Sequence, residues 1–133
     1  MKAFINGTFD VFHHGHLTLI NTARRLIGPG GFLLVSIDSD RRVREKKGKT
    51  RPVCGQDFRR ELLNSLKQVD FVTVFDSDEE LVKTIQYFKP DVMVKGSDYQ
   101  DQPILGREYC SNILFVKRTN DSTTKIIKNI SSR

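Results

Sequence analysis

Cysteine is scarce in this chain. Cys54 and Cys110 are the only two, far apart and outside any metal-ligand spacing. A disulfide framework and a zinc site are therefore not expected, and the pair reads as free thiols in a reducing compartment. Long apolar runs are also missing. The opening Met1-Lys2-Ala3-Phe4-Ile5 is too short for a signal peptide or a membrane span, and no later run is long enough either. There is no internal repeat, no low-complexity tract and no Pro/Gly/Ser-rich linker, so neither a repeat array nor a domain boundary is indicated. The 133 residues suit a single domain with one core.

Acidic charge is the other shortage. The formal net charge is +6, and the excess is concentrated. Arg41, Arg42, Arg44, Lys46, Lys47, Lys49 and Arg51 crowd one short segment whose only acid is Glu45. Such a balance suits a phosphate-rich ligand, a nucleic acid or an anionic surface. By itself a run of this kind is most often a solvated, mobile loop, here with room for a short helix.

What remains alternates strand and helix. Lys2–Asn6 reads as a strand, followed by helical spacing at Leu17, Ile20, Ala23 and Ile27 and a stop at Gly28-Pro29-Gly30-Gly31. The continuous run Phe32–Ile37, apolar except for Ser36, fits a strand buried on both faces. Asp57 is a candidate N-cap for a helix burying Phe58, Leu62, Leu63 and Leu66. Phe71–Phe75 is a third strand, and Asp78 a candidate cap for a helix over Leu81, Val82, Ile85 and Phe88 that Pro90 ends. Val92–Val94 and Ile113–Val116 complete five strands, and Ser122 is placed to cap a last helix carrying Ile126, Ile127 and Ile130. The pattern predicts an α/β, Rossmann-like, doubly wound sheet of five parallel strands. In such a sheet ligands bind beyond the carboxyl ends of the strands, where strand order reverses.

The residues after the strands are polar or glycine-rich. Gly7-Thr8-Phe9-Asp10 and His13-His14-Gly15-His16 follow the first. Gly15 lets a large anion approach the backbone, and the helix start offers unpaired N–H groups and a favourable dipole. Two imidazoles three residues apart, His13 and His16, can donate to phosphate oxygens there. A capping histidine, or a metal pair, would satisfy the same spacing. His14, between them, reads as a surface residue.

The combination Gly-Thr-Phe-Asp, His-x-Gly-His and the late Ser122-Thr123-Thr124 resembles the cytidylyltransferase-like nucleotidyltransferases, and the resemblance runs through nearly the whole chain. It implies that residues 1–133 form a nucleotidyltransferase domain that transfers a nucleoside monophosphate from a triphosphate to a phosphorylated small molecule, releasing pyrophosphate. His13 and His16 would hold the α-phosphate and its developing charge. Ser122, Thr123 and Thr124 would receive the outer phosphates. Gly7, Thr8, Phe9, Asp10, Gly15, Gly96 and Asp98 would surround the nucleotide, with Asp10 ordering the loop after the first strand. Lys47 would close on the triphosphate, and Arg59 and Arg118 would face the substrate. Magnesium would accompany the triphosphate with few protein ligands. Tyr99 suits base stacking and packing equally. The resemblance also implies a cytoplasmic homodimer with no nucleic-acid or membrane partner.

Two branches of the family are similar. Lys47-Gly48-Lys49-Thr50-Arg51-Pro52, Lys95-Gly96-Ser97-Asp98-Tyr99 and Gly106-Arg107-Glu108 resemble the adenylyltransferase domain that makes ADP-heptose from heptose 1-phosphate. Arg118-Thr119 resembles glycerol-3-phosphate cytidylyltransferase, although the segment before Ser122 is one residue shorter here and lacks a glycine. A nucleic-acid-binding module is the reading of another class. It uses the basic run but leaves the histidine segment idle, and aromatics do not interleave with the run.

Overall fold

The computed structural model describes residues 1–117 and 123–131. Five parallel strands form one sheet in the order β3-β2-β1-β4-β5: β1 (Lys2–Gly7), β2 (Phe32–Asp38), β3 (Phe71–Phe75), β4 (Val92–Gly96) and β5 (Asn112–Val116). Helices α1 (His14–Ile27), α2 (Asp40–Lys47), α3 (Gln56–Asn64), α4 (Asp78–Phe88) and α5 (Thr123–Ser131) lie between and after them.

The sheet divides its apolar residues by their period of two. Ala3 and Ile5 of β1, Leu33, Val35 and Ile37 of β2, and Val92 and Val94 of β4 join one core with Ile20, Ala23 and Ile27 of α1 and Leu63 of α3. Phe4, Leu34, Phe75 and Met93 point to the other, which Leu81 and Ile85 of α4 cover. Helices therefore pack on both faces, and the sheet is doubly wound as expected. Strand order reverses at β1, whose neighbours are β2 and β4. The crevice beyond the carboxyl ends of β1 and β4 is the place where this topology puts a ligand.

Three local details sharpen or correct the expectations. The short helix for which the basic segment has room is present: residues 40–47 form α2, capped by Ser39 Oγ, which accepts from Arg42 N at 3.2 Å. Arg42 is buried at its first turn. It donates to Asp38 at 3.0 Å and Asp78 at 2.5 Å and lies over the Phe75 ring. Asp57 does not cap α3, because Gly55 does, and the helix starts at Gln56. Its buried face is Arg59 and Leu63, while Phe58 is 55% exposed and Leu62 and Leu66 are half-buried. The cap of α4 is Ser77, which accepts from Glu80 N at 3.1 Å; Asp78 instead adds negative charge to the first turn, with Glu79 and Glu80. Gly28 ends α1 as expected, with φ at +73°, a conformation costly for residues bearing a Cβ.

Candidate active site

The carboxyl ends of β1 and β4 open onto a cavity of about 310 Å³. Gly7, Thr8, Phe9 and Asp10 line it from the turn after β1, and His13, Gly15 and His16 from the start of α1. Lys47 comes from the end of α2, Gly96 and Asp98 from the end of β4, and Thr124 from the first turn of α5. The expected residues of five separate segments thus meet in one place.

The histidines are fixed by the backbone. His13 is the N-cap of α1, and its Nδ1 accepts from Gly15 N at 3.0 Å. Its own N–H donates to Nδ1 of His16 at 3.2 Å, a reciprocal cap. The two rings stack at 3.7 Å between centroids, and Phe9 and Phe12 tilt against His16 at 5.0 and 5.3 Å. Since each Nδ1 accepts, the proton of each neutral ring sits on Nε2. Capping and phosphate donation are therefore compatible uses of the same imidazole. His14 is exposed, as expected.

The turn that carries this pair is strained. Phe9 and Val11 both have positive φ, 52° and 37°. Asp10, between them, is 1% exposed. Its carboxylate accepts from Val11 N at 3.1 Å, Val53 N at 2.8 Å, Cys54 N at 2.9 Å and Arg51 Nε at 3.0 Å. Burial alone would raise its pKa, but the Val53 and Cys54 N–H groups and the Arg51 guanidinium together hold it below the usual carboxylate value. Asp10 does order the turn, and it does so by tying it to the Arg51–Cys54 segment.

Arg59 differs from expectation. It is 1% exposed, and its guanidinium donates to the carbonyls of Cys54, Thr8 and Asp38 and to the Asp40 carboxylate, all within 2.9 Å. It does not line the cavity. Instead of facing a substrate it locks the β1 turn, the end of β2 and the starts of α2 and α3 together. Arg118 and Ser122 lie outside the described residues, and Thr123 is described only as the first residue of α5.

Sequence reasoning missed three contributors. Asn6 lines the cavity at the last-but-one position of β1, where the switch-point rule would have found it. Its Oδ1 accepts from Lys95 Nζ at 2.7 Å, which turns its amide NH2 away from the lysine. Lys95 itself lies over Tyr99, and burial lowers its pKa to about 8 against the pull of Asp38. Arg51 also lines the cavity, and nothing in a run of basic residues singles it out. The Asp98 carboxylate lies close over Gly96, where a Cβ would come within 2.6 Å of Oδ1.

The basic run is largely engaged. Arg41 pairs with Asp76 at 2.9 Å and Glu45 at 3.0 Å, Arg42 with Asp38 and Asp78, and Arg51 with Asp10. Among the described residues, no group of three or more His, Cys, Asp or Glu could hold a metal, and no helix is long and apolar enough to cross a membrane.

Comparison with known proteins agrees with this geometry. The chain is 40% identical over 128 residues to the bifunctional protein HldE of Campylobacter fetus subsp. fetus, covering 96% of this chain and 27% of that protein. It is 39% identical over 128 residues to the bifunctional protein HldE of Helicobacter pylori, with 96% and 27% covered. The chain thus spans about a quarter of the length of these relatives. The crystal structure of the lipopolysaccharide core biosynthesis protein from Thermoplasma volcanium has the same fold, with a TM-score of 0.71 at 24% identity, over 90% of this chain and 98% of that one. A protein of unknown function from Archaeoglobus fulgidus has a TM-score of 0.67 at 23% identity, over 92% and 94%. The cytidylyltransferase-like family model matches residues 4–132. With the histidine-capped helix and the cavity at the switch point, that match shows that the chain belongs to the cytidylyltransferase-like family of nucleotidyltransferases.

Proposed function

We propose that this chain transfers an adenylyl group from ATP to a heptose 1-phosphate, releasing pyrophosphate. The observation that carries the transfer is the stacked pair His13 and His16, locked by Nδ1 with both Nε2 atoms as donors, on the cavity at the switch point. The choice of donor and acceptor has a different support: the agreement of Lys47–Pro52, Lys95–Tyr99 and Gly106–Glu108 with the heptose branch, together with relatives named HldE.

The reaction is an in-line displacement at the α-phosphorus. A phosphate oxygen of the acceptor forms the new P–O bond, and the bond to the β-phosphate breaks with its electrons on pyrophosphate. The protein needs to position the partners and stabilise charge, and no covalent enzyme intermediate is required. His13 and His16 donate to the α-phosphate oxygens as negative charge grows. The N–H groups that open α5, with Thr124, face the outer phosphates. Lys47, exposed at the end of α2, approaches the triphosphate from the open side. Magnesium, when bound, neutralises part of the triphosphate charge. Since the Asp10 carboxylate already accepts four hydrogen bonds, Asp98 is the cavity carboxylate that would take a metal position, the phosphates supplying others. A homodimer and a cytoplasmic setting follow from the resemblance.

The test is pyrophosphate release with magnesium-ATP and a heptose 1-phosphate, run beside CTP with glycerol 3-phosphate. The ATP arm is expected to be the active one. Replacing His16 with Ala should lower turnover by roughly two to three powers of ten, the loss typical of one preorganised donor. Unchanged turnover would remove the assigned role, and activity confined to the CTP arm would overturn the choice of branch.

A further inference from the structure

We propose that Arg51 is a phosphate-binding residue of this site, its Nη2 donating to the triphosphate of the bound nucleotide. The inference rests on the nucleotidyltransferase reading and adds a residue to it. Arg51 leaves the chain just before α3, and its side chain is 11% exposed. Nε donates to Asp10 at 3.0 Å, and Nη1 donates to Thr124 Oγ1 in the first turn of α5 at 3.4 Å. Nη2 is buried and, among the described residues, is the one buried side-chain nitrogen or oxygen with no hydrogen-bond partner.

Three features make that nitrogen a ligand donor. Buried polar groups in folded proteins are nearly always hydrogen-bonded, so an orphaned guanidinium N–H marks a position that an acceptor completes. Arg51 lines the same cavity as His13, His16 and Lys47, so the acceptor arrives where the nucleotide does. The acceptor must also be anionic. Asp10 is the acid paired with Arg51, and its charge is already shared with three backbone N–H groups. The surroundings thus keep an excess of donors over acceptors, and a phosphate oxygen corrects it. A planar guanidinium held at Nε and Nη1 keeps its third nitrogen in a fixed direction, which a flexible ammonium would not.

The two held nitrogens also explain the location. Arg51 connects the turn after β1, through Asp10, to the first turn of α5, through Thr124. These are the segments whose N–H groups face the α- and outer phosphates in the proposed reaction. Both segments belong to the triphosphate side of the proposed reaction, which assigns Arg51 to the triphosphate over the acceptor phosphate.

Titration calorimetry tests this on the intact chain, with magnesium-ATP, inorganic pyrophosphate and a sugar 1-phosphate as separate probes and Arg51→Lys as the variant. Lysine keeps a positive charge near Asp10 but removes the donor that has no partner in the free protein. Affinity for magnesium-ATP and pyrophosphate should fall roughly ten- to hundredfold, the usual loss for a hydrogen bond to a charged group. The KM for ATP in pyrophosphate release should rise accordingly, with a smaller change in kcat. Arg51→Gln, read the same way, covers the case in which the lysine variant does not fold. A melting temperature that drops while both affinities stay at the wild-type value would make Arg51 structural and overturn the proposal. Weakening confined to the sugar phosphate would overturn the assignment to the triphosphate. If wild-type protein binds no nucleoside triphosphate, the nucleotidyltransferase reading fails and this one with it; wild-type binding matched by both variants overturns Arg51 alone.

Discussion

Arg59 and Arg51 sit in neighbouring stretches of the chain, the first 1% exposed and the second 11% exposed at its side chain, yet they end in opposite states. Every nitrogen of Arg59 has an acceptor: three main-chain carbonyls and the Asp40 carboxylate. Arg51 has acceptors for two nitrogens and none for the third. The first node is closed and does not line the cavity, and the second is open and lines it. The difference separates framework from site by a physical criterion. A buried cation whose donors are matched within the protein holds elements together, and one with an unmatched donor beside a cavity is waiting for an anion.

The comparison is broken most directly at Arg59. Arg59→Met keeps much of the stem but leaves the carbonyls of Cys54, Thr8 and Asp38 and the Asp40 carboxylate without their donor. Removing one partner of a buried ion pair costs about 3–5 kcal/mol, so the variant should lose that much in urea denaturation. Whatever activity survives should show an ordinary KM for ATP. A stable Arg59→Met protein with a raised KM would return Arg59 to the substrate and erase the distinction.

Arg59 also shows where a sequence stops being legible. The five parallel strands, the helices between them and the doubly wound sheet follow from apolar periodicity, and that expectation held, whereas the strand order and the division of the core between two faces come from the structure. Which cations of the basic run are buried was not legible, because hydrophobic pattern carries no sign that a cation is buried. Arg42 and Arg59 occupy the inner faces of α2 and α3 beside Val43 and Leu63, and Phe58 lies outside. Arg51 was invisible for a related reason. Its partners Asp10 and Thr124 are distant in sequence, and only the fold brings them to it. Asn6 was within reach of the topology rule, but an asparagine near a strand end carries no motif.

Asp10 is the next point of attack, with a smaller expected effect. Asp10→Asn keeps one acceptor oxygen and turns an NH2 towards the remaining donors, so a cost of about 1–3 kcal/mol is expected. Its acid dependence sharpens the comparison. Asp10 titrates below its usual value in the folded chain, so its stabilisation is present above that usual value and disappears as pH falls through the folded one. The stability gap between wild type and Asp10→Asn should therefore be full near pH ~5 and shrink towards pH ~2.5. A gap that does not change over that range would show that the charge of Asp10 is not what holds the turn.

The smallest effect concerns a half-buried cation, Lys95. Lys95 belongs to neither class: its Nζ has an acceptor, Asn6 Oδ1, but no carboxylate within ion-pair distance among the described residues. Burial therefore works against its charge and moves its pKa from 10.5 down to about 8. For a base lowered on folding, the sign is opposite to that of Asp10. Below pH 8 both the folded and the unfolded chain carry the proton, and the folded state bears the full cost of the buried ammonium. Between about pH 8 and 10.5 the unfolded chain binds more protons at this site than the folded one, so stability rises with pH until both states are neutral. The neutral amine can still donate to Asn6, so the amide stays oriented through the titration. Lys95→Met removes both the charge and the hydrogen bond. Measured by urea denaturation at pH 7.5 and pH ~10, wild type should gain stability relative to Lys95→Met as pH rises. A relative loss over the same interval would mean that the Lys95 charge is stabilised by an anion in the folded protein, and Lys95 would then join Arg59 in the closed framework.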